Sequence, residues 1–315
     1  MKILVAGATG NLGTRIAGHL LAAGHELRLL VHRRPLPDEL AQHARAVAVR
    51  GDLADPATLG PACEGVDCAI SVAGVLFEPR PERFLETTNV TYVGNLLEAA
   101  RRRGARRFLL VSFPHVEGDT TPEHPATGRL DAAPTVAHFR TRRAAERLVI
   151  ERCEGTATAP VIFRAATVYA RGLKLVEGAR GLLQKRLLAV WRRPTWLHLV
   201  ALPDFLGALQ AAVEKEGVRG IYQVGDEAPL TLQDCLDRFA ERLGVPHPRR
   251  LPEWTFHAAA AACEGWALAF GTSAPLTRDF MRAGMVSSVA DIGRMKRELW
   301  PVLRYPSFAQ GIELL

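Results

Sequence analysis

A glycine-rich turn near the N-terminus constrains the fold of this chain more than any other feature. The short apolar run Lys2–Ala6 leads directly into the sequence GATGNLG at residues 7–13, and apolar residues at helical spacing follow. A tight strand-to-helix turn needs one glycine, close approach of a phosphate to backbone N–H groups needs a second, and packing of the helix on the strand needs a third. The positive end of the helix then faces the phosphates. This pattern predicts a dinucleotide-binding turn whose cofactor-contacting residues are Gly7, Thr9, Gly10, Asn11, Leu12 and Gly13.

The first 170 residues alternate short apolar runs, predicted to be strands, with amphipathic segments, predicted to be helices. Such an alternation builds right-handed βαβ units and hence a parallel sheet. We therefore predict an α/β fold, with a doubly wound parallel sheet over residues 1–170 and a returning strand near 220–225. A smaller, mainly helical substrate-binding domain is predicted over residues 171–315, beginning with a basic helix at Leu173–Arg193.

One long segment interrupts this rhythm. Between Pro114 and Pro134 the chain has four prolines and no periodicity over 21 residues. A loop of this length is unusual in a compact domain and often covers an active site. The alternative is a surface insertion.

Composition and spacing exclude several classes of protein. No apolar run is long enough to cross a membrane, and the first is too short for a cleaved signal peptide, so we expect no membrane partner. The five cysteines are odd in number and form no CxxC pair, which indicates free thiols in the cytoplasm. The net charge is +7, but the densest basic cluster, residues 101–107, falls where a helix should end, so no nucleic-acid partner is expected. No cysteine and histidine set has metal-ligand spacing. We expect a small-molecule substrate and leave a homodimer open.

The end of the second predicted strand indicates which dinucleotide is bound. Proteins that bind NAD usually place an acidic residue there, on the ribose 2′-hydroxyl. This chain has His32, Arg33 and Arg34 instead. A guanidinium suits a 2′-phosphate because it donates charge-assisted, forked hydrogen bonds. We predict a preference for NADP(H), with NAD(H) as the alternative.

Several further motifs resemble the extended branch of the short-chain dehydrogenase/reductase superfamily. They are the glycine loop, Gly51-Asp52-Leu53, Val72-Ala73-Gly74, the helix Asn89–Ala100, the run Phe163–Tyr169, and the closing segments Lys296–Pro301 and Tyr305–Ser307. The resemblance implies an oxidoreductase or epimerase-like enzyme on a dinucleotide-binding fold. It implies that Asp52 and Leu53 flank the adenine, that Ala73 and Gly74 lie along the ribose, and that Thr167 and Val168 lie near the nicotinamide. Val72 and Ser112 are added as cofactor contacts.

The catalytic positions depart from that family's pattern. Its members use a serine, a tyrosine and a lysine, with tyrosine and lysine four residues apart on one helical face. The corresponding helix here has His138 at the tyrosine position, Arg142 at the lysine position and Glu146 at the following glutamate. Phe113 stands at the serine position. We take His138 and Arg142 as the candidate catalytic residues.

Three interpretations of this site are open. His138 donates the proton, although the Arg142 charge would depress its pKa. Alternatively, His115 or water supplies the proton, as in atypical members resembling isoflavone reductases. Finally, the fold binds NADP(H) and catalyses little, resembling redox-sensing NmrA-like proteins or the reductase-like subunit of respiratory complex I. In all three, Arg142 holds the ribose, pairs with Glu146 at i,i+4, or does both.

The predicted substrate-facing residues are mainly apolar. An apolar lining suggests a hydrophobic or aromatic carbonyl compound rather than a sugar nucleotide, unless these residues simply pack the domain interface. The residues are Val75, Leu76, Phe77, Phe113, His115, Val168 and Tyr169.

Overall fold

The computed structural model describes residues 1–74, 83–272, 274 and 276–315. Its strands are β1 (Lys2–Ala6), β2 (Glu26–Val31), β3 (Ala46–Arg50), β4 (Cys68–Ser71), β5 (Arg107–Ser112), β6 (Ala159–Ala165), β7 (Thr167–Tyr169), β8 (Ala189–Trp191), β9 (Trp196–Leu197), β10 (Leu199–Ala201), β11 (Gly220–Val224), β12 (Leu230–Thr231) and β13 (Arg249–Leu251). Its helices are α1 (Asn11–Ala22), α2 (Asp38–Ala41), α3 (Tyr92–Arg102), α4 (Ala137–Cys153), α5 (Lys174–Gln184), α6 (Leu202–Glu214), α7 (Leu232–Leu243), α8 (Glu253–Phe270), α9 (Arg278–Gly284), α10 (Gly293–Glu298) and α11 (Phe308–Gly311).

Seven of these strands form one parallel sheet in the order β11-β6-β5-β4-β1-β2-β3. The prediction of a doubly wound parallel α/β fold is confirmed. After β3 the chain crosses to β4 on the other side of β1, so the strand order reverses between β1 and β4. In open α/β sheets, ligands bind outside the carboxyl ends of the strands at such a reversal. The fold therefore places the ends of β1 and β4 at the expected ligand crevice.

Alternate residues of β1 pack on opposite faces of the sheet. Ile3 and Val5 belong to a core that includes residues of α1 and α6. Leu4 and Ala6 belong to a second core, with residues of α3 and α4. A central parallel strand covered on both faces has no polar side to show, which is why β1 is continuously apolar.

Buried polar contacts hold the closing segment of the chain against α6. The carboxylate of Asp204, on α6, accepts hydrogen bonds from Trp300 Nε1 at 2.9 Å and from the backbone N–H groups of Arg304 and Tyr305 at 2.7 and 2.8 Å. The Trp300 ring lies so close to α6 that a Cβ at Gly207 would be 2.6 Å from it. The closing segment is thus fixed to α6, and β11 lies beside β6 at the edge of the sheet.

The prediction of one helix over Leu173–Arg193 is wrong. Helix α5 ends at Gln184, Arg186 adopts a left-handed φ of 57°, and β8 pairs with β13 in parallel. Strand pairing with a segment about 60 residues further along decides the conformation of Ala189–Trp191, and helical periodicity cannot report such a partner. In the described part of the chain, no helix is long and apolar enough to span a bilayer.

Candidate active site

The glycine loop packs against the end of β4. Gly7 has a φ of 101°, and a Cβ there would lie 2.7 Å from the Ala73 nitrogen. A Cβ at Gly13 would lie 2.0 Å from the Gly7 carbonyl oxygen. Only glycine fits at these two positions. Gly7 has a left-handed backbone conformation and lies against Ala73, and Gly13 lies where α1 approaches the turn after β1 closely. The predicted phosphate-binding turn and Val72–Gly74 are therefore adjacent, at the strand-order reversal.

Asn11, at the first position of α1, connects this loop to the C-terminal third. Its Nδ2 donates to the Gly172 carbonyl at 3.0 Å, and its Oδ1 accepts the Lys174 backbone N–H at 2.9 Å. The side chain is thus engaged, and Asn11 can offer a cofactor its backbone N–H. Thr9 and Leu12 are partly buried, and Leu12 packs against the core that contains Ile3.

The predicted 2′-phosphate site is open and basic. Arg33 and Arg34 are exposed, and neither side chain has an ion pair or hydrogen bond with any other described residue. His32 Nε2 lies 3.4 Å from Asp52 Oδ2. The neighbouring Leu53 carbonyl accepts a hydrogen bond from Asn95 Nδ2 at 2.8 Å. Asn95 fixes the predicted adenine-flanking turn, and our sequence analysis missed this role because the partner is a backbone carbonyl 42 residues away.

Arg142 is a buried cation beside the predicted ribose site. A Cβ at Gly74 would lie 3.4 Å from Arg142 Nη2. The Nε and Nη1 atoms of Arg142 are buried, and neither donates a hydrogen bond to any of the residues that the structure describes. Burial lowers the pKa of Arg142 to about 10. Buried donors without partners are costly, and the hydroxyls of a dinucleotide ribose are acceptors that would satisfy them, so the residues present fit a bound cofactor.

The alternative i,i+4 pair between Arg142 and Glu146 is not formed. Glu146 is fully buried and its carboxylate accepts hydrogen bonds from Arg164 Nη2 at 2.6 Å and from Arg164 Nε at 3.1 Å. Ser112 Oγ donates to the same carboxylate at 2.5 Å. Because Arg164 on β6 occupies Glu146, Arg142 has no ion-pair partner among the residues that the structure describes. Ser112, predicted to contact the cofactor, uses its hydroxyl in this buried network.

Glu117 extends the network into the long segment 114–134. Its carboxylate accepts hydrogen bonds from Arg164, from Gln223 Nε2 at 3.0 Å, and from the backbone N–H groups of Gly128 and Arg129 at 2.7 and 3.0 Å. One carboxylate therefore joins both ends of the segment to the sheet.

The same segment is also bound to residues near the C-terminus. Thr120 and Ala126 donate their backbone N–H groups to the carbonyls of Ser287 and Val289 at 3.0 and 2.8 Å. The Thr120 hydroxyl donates to Val289 as well, at 3.0 Å. Of the two alternatives for this segment, the anchored geometry favours a built part of the site over a loose surface insertion.

Four rings cluster where the family's serine and tyrosine would stand. The rings of Phe113 and His138 are stacked, with centroids 5.3 Å apart and planes 10° apart. Phe139 packs edge-on against Phe113 at 5.6 Å, and His115 lies 5.1 Å from Phe139. This cluster brings together three of the predicted site residues, and Phe139 was missed because a phenylalanine on a helix ordinarily indicates core.

Both histidines of this cluster are neutral at pH 7. Burial lowers the pKa of His138 to about 4, and the positive charges of Arg142 and of protonated His115 act in the same direction. Burial alone lowers the pKa of His115 to about 4. The expected effect of Arg142 on His138 is present, although burial is the larger cause.

The remaining predicted substrate and nicotinamide residues divide into three groups. Thr167 and Val168 begin β7, which follows β6 after one residue, and both are partly buried. Tyr169 is 2% exposed, and its ring packs edge-on against Phe308 with centroids 5.2 Å apart. Tyr169 therefore belongs to the core of the C-terminal third and leaves no surface for a substrate. Val75, Leu76 and Phe77 lie outside the described residues.

Among the residues placed in the structure, no group of three or more histidine, cysteine, aspartate or glutamate side chains is arranged to hold a metal ion. All five cysteines are free.

Comparison with known proteins agrees with this geometry. Residues 3–196 match the family described as NAD dependent epimerase/dehydratase. The chain is 30% identical over 277 residues to a 3-diazoavenalumate denitrifying reductase from a Streptomyces species, covering 80% of this chain and 84% of the relative. It is 28% identical over 262 residues to a 2-alkyl-3-oxoalkanoate reductase from Stenotrophomonas maltophilia, covering 78% and 77%.

A solved structure shares the fold of this chain. The human epimerase family protein SDR39U1, isoform 2, determined with NADPH, superposes with a TM-score of 0.77 at 17% identity, covering 100% of this chain and 99% of the other. That identity supports the fold alone. With the glycine turn, the strand-order reversal and the match over residues 3–196, the chain belongs to the NAD dependent epimerase/dehydratase family.

Proposed function

We propose that this protein is an NADP(H)-dependent reductase that transfers hydride to a small, hydrophobic acceptor. The observation that carries the proposal lies on α4. This helix carries His138, stacked on Phe113, one turn from Arg142, whose guanidinium lies beside Gly74 and has two buried donors without partners among the described residues. The nicotinamide end of a bound cofactor would then lie between a fixed cation and a flat, mostly apolar surface.

The preference for NADP(H) is supported by charge at the other end of the crevice. Arg33 and Arg34 are exposed and have no partner among the described residues, so both are free to bind a 2′-phosphate. At this end, the Asp52 Oδ2 atom lies 3.4 Å from His32 Nε2. The residues directly after β2 include no aspartate or glutamate, so the hydrogen-bond acceptor that favours NAD is not present there.

In the proposed mechanism, the cofactor supplies hydride when bound. Arg142 binds the ribose hydroxyls and orients the nicotinamide, and the rings of Phe113, His138 and Phe139 hold a planar acceptor and exclude water from one side. A histidine with a pKa near 4 is protonated in only about one molecule in a thousand at pH 7. We therefore infer that an imidazolium is not the proton source and that the acceptors of this site take their proton from water or need none.

Relatives support reduction of a small acceptor. One relative is named a denitrifying reductase of a diazo compound, and another a reductase of an oxoalkanoate. Reduction of an aryl diazonium by hydride forms a carbon–hydrogen bond, breaks the carbon–nitrogen bond and releases N₂ with its electron pair, so no proton donor is required. We include this class with oxoalkanoates and aromatic carbonyl compounds. A cytoplasmic location, where the five thiols stay reduced, belongs to the same proposal.

The test measures NADPH oxidation with a panel of acceptors. Loss of absorbance at 340 nm reports the oxidation. The panel contains aryl diazonium salts, 2-alkyl-3-oxoalkanoates, aromatic aldehydes and enones. We expect turnover with at least one class, and an Arg142→Ala variant should raise the KM for NADPH more than it lowers kcat. Tight NADPH binding without oxidation above the buffer rate across the panel would contradict the proposal.

A second function, a non-catalytic NAD(P)(H)-binding sensor or assembly protein, is favoured by one observation. The positions that carry proton transfer in the family hold Phe113, His138 and Arg142, and both neighbouring imidazoles are neutral at pH 7. A sensor would bind NADPH and NADP⁺ with different affinities and show no turnover. Calorimetry with the two forms, run beside the acceptor panel, distinguishes the two functions.

A further inference from the structure

Helix α8 exposes a broad apolar surface. Trp254, Trp266 and Phe270 are 69, 62 and 63% exposed, and Leu268 is 48% exposed. The Trp266 and Phe270 rings contact each other, with centroids 4.2 Å apart. The buried residues of the helix are the small Ala260 and Ala267. A surface helix of a globular protein normally turns a polar side to solvent. Helix α8 is apolar outward as well as inward, where Phe256 packs against Trp191.

The exposed side of α8 is apolar across its whole width. At 3.6 residues per turn, its exposed positions spread over about 200° of the circumference. None of them is charged or polar: Trp254, Ala258, Ala259, Ala261, Ala262, Gly265, Trp266, Leu268, Ala269 and Phe270. The two acidic residues of the helix, Glu253 and Glu264, lie outside this arc and form ion pairs with Arg193 and Arg278 at 2.7 and 2.8 Å. We call the ten exposed positions the α8 face.

Three arginines without ion pairs among the described residues lie on segments next to α8. Arg192 is exposed and donates its backbone N–H to the Leu251 carbonyl at 3.1 Å, at the end of β13, directly before α8. Arg249 begins β13, and Arg282 lies on α9, which packs against α8. None of these three guanidiniums has an ion pair within the described ranges of the chain.

We propose that the α8 face docks on an anionic lipid surface. Exposed tryptophan, phenylalanine and leucine side chains would enter the boundary between headgroups and acyl chains, while Arg192, Arg249 and Arg282 meet lipid phosphates. A second copy of the chain is a poorer occupant, because the α8 face offers no carboxylate to the arginines that a symmetric interface would bring together. The helix would lie on the membrane surface. This inference replaces the expectation of no membrane partner and does not depend on the proposed reductase activity.

The experiment is co-sedimentation of the full chain with vesicles. Vesicles of phosphatidylcholine alone are compared with vesicles containing one-third phosphatidylserine, at low and high salt. We expect binding to the anionic vesicles, at least tenfold weaker binding to neutral ones, and a further loss at high salt. Trp266→Ala with Phe270→Ala, and separately Arg192→Glu with Arg249→Glu, should each weaken binding at least tenfold.

Two control variants match these changes. Val302→Ala removes an apolar side chain that is 78% exposed on another segment, and Arg297→Glu with Arg304→Glu changes the net charge as much as the arginine pair does. Both should bind as the unchanged protein does, and circular dichroism checks that every variant is folded. No binding to anionic vesicles, or binding that Trp266→Ala with Phe270→Ala leaves unchanged, overturns the proposal. A dimer that those two substitutions dissociate would show that a second copy covers the face, and also overturns it.

Discussion

Glu146 Oε2 lies 2.6 Å from Arg164 Nη2, and both side chains are fully buried. Arg164 also contacts Glu117, so one guanidinium pairs with two carboxylates from different parts of the chain. This pairing joins α4, β6 and the segment 114–134. It also leaves Arg142 available to a cofactor.

Removing Arg164 should destabilise the protein strongly. Arg164→Met leaves two buried carboxylates unpaired, and breaking a buried ion pair costs about 3–5 kcal/mol. Arg147→Met, which breaks the exposed i,i+4 pair with Glu151 on the same helix, should change the free energy of unfolding by less than about 1 kcal/mol. Urea unfolding of both variants measures the difference. Equal losses would show that Arg164 is not the centre of the network.

Two glycines on α1 should respond oppositely to alanine. Gly13→Ala places a Cβ 2.0 Å from the Gly7 carbonyl and should displace the loop, so NADPH affinity is expected to fall at least tenfold in calorimetry. A Cβ at Gly18 meets no atom within 4 Å, so Gly18→Ala should keep the affinity and raise stability by about 0.5–1 kcal/mol. Unchanged affinity in a folded Gly13→Ala variant would contradict the assignment of this turn to phosphate binding.

The two exposed arginines after β2 should determine cofactor choice. Each charge-assisted hydrogen bond lost to the 2′-phosphate costs about 1.5–3 kcal/mol. Arg33→Ala with Arg34→Ala should therefore weaken NADPH binding by at least about 10²-fold and leave NADH binding nearly unchanged. Calorimetric titration with both cofactors makes NADH the internal control. If the unchanged protein binds both equally, the prediction is wrong.

Catalysis should show no ionisation of His138 near neutrality. Because the pKa of His138 is about 4, its ionisation should not change kcat between about pH 5.5 and 8. His138→Phe should reduce kcat less than tenfold, against the ~10²–10⁴-fold expected of a general acid. A kcat that falls as pH rises through 6–7, and that loses this dependence in His138→Phe, would restore His138 as proton donor.

The same histidine should make the fold sensitive to acid. Its pKa is about 4 in the folded chain and near 6.5 when unfolded, so the unfolded chain binds more protons between these values. Stability from this group is complete above pH 6.5 and is lost as the pH falls toward 4. Urea midpoints across pH 4–7 should fall less steeply for His138→Phe than for the unchanged protein. Parallel curves for the two proteins would contradict the low pKa.

Asp226 should make the protein less stable as the pH rises, whereas His138 makes it less stable as the pH falls. Burial raises the pKa of Asp226 to about 8, and its Oδ2 has no hydrogen-bond partner in the described part of the structure. The unfolded chain loses this proton near pH 4 and the folded chain near 8, so stability is lost as the pH rises between them. Asp226→Asn keeps an acceptor for the Ala228 N–H and carries no charge. Its stabilising effect should grow from pH 5 to pH 8 in urea unfolding, and a constant difference would contradict the prediction.

Local sterics and periodicity determined much of this protein from the sequence alone. Gly7 and Gly13 are required wherever a strand turns this tightly into a helix, and the apolar run of β1 is required wherever a strand is covered on both faces, so the parallel α/β fold and its nucleotide crevice could be predicted. Pairing between distant residues could not. Within the described residues Arg142 has no ion pair, because Arg164, 18 residues from Glu146, occupies that carboxylate. The segment 114–134 is ordered by hydrogen bonds to residues near 287–289, and Tyr169 is buried by the ring of Phe308. Helical spacing indicates contacts between residues three or four positions apart. The distant pairs form only when the chain folds, because a buried charge or donor left unpaired would destabilise the folded state.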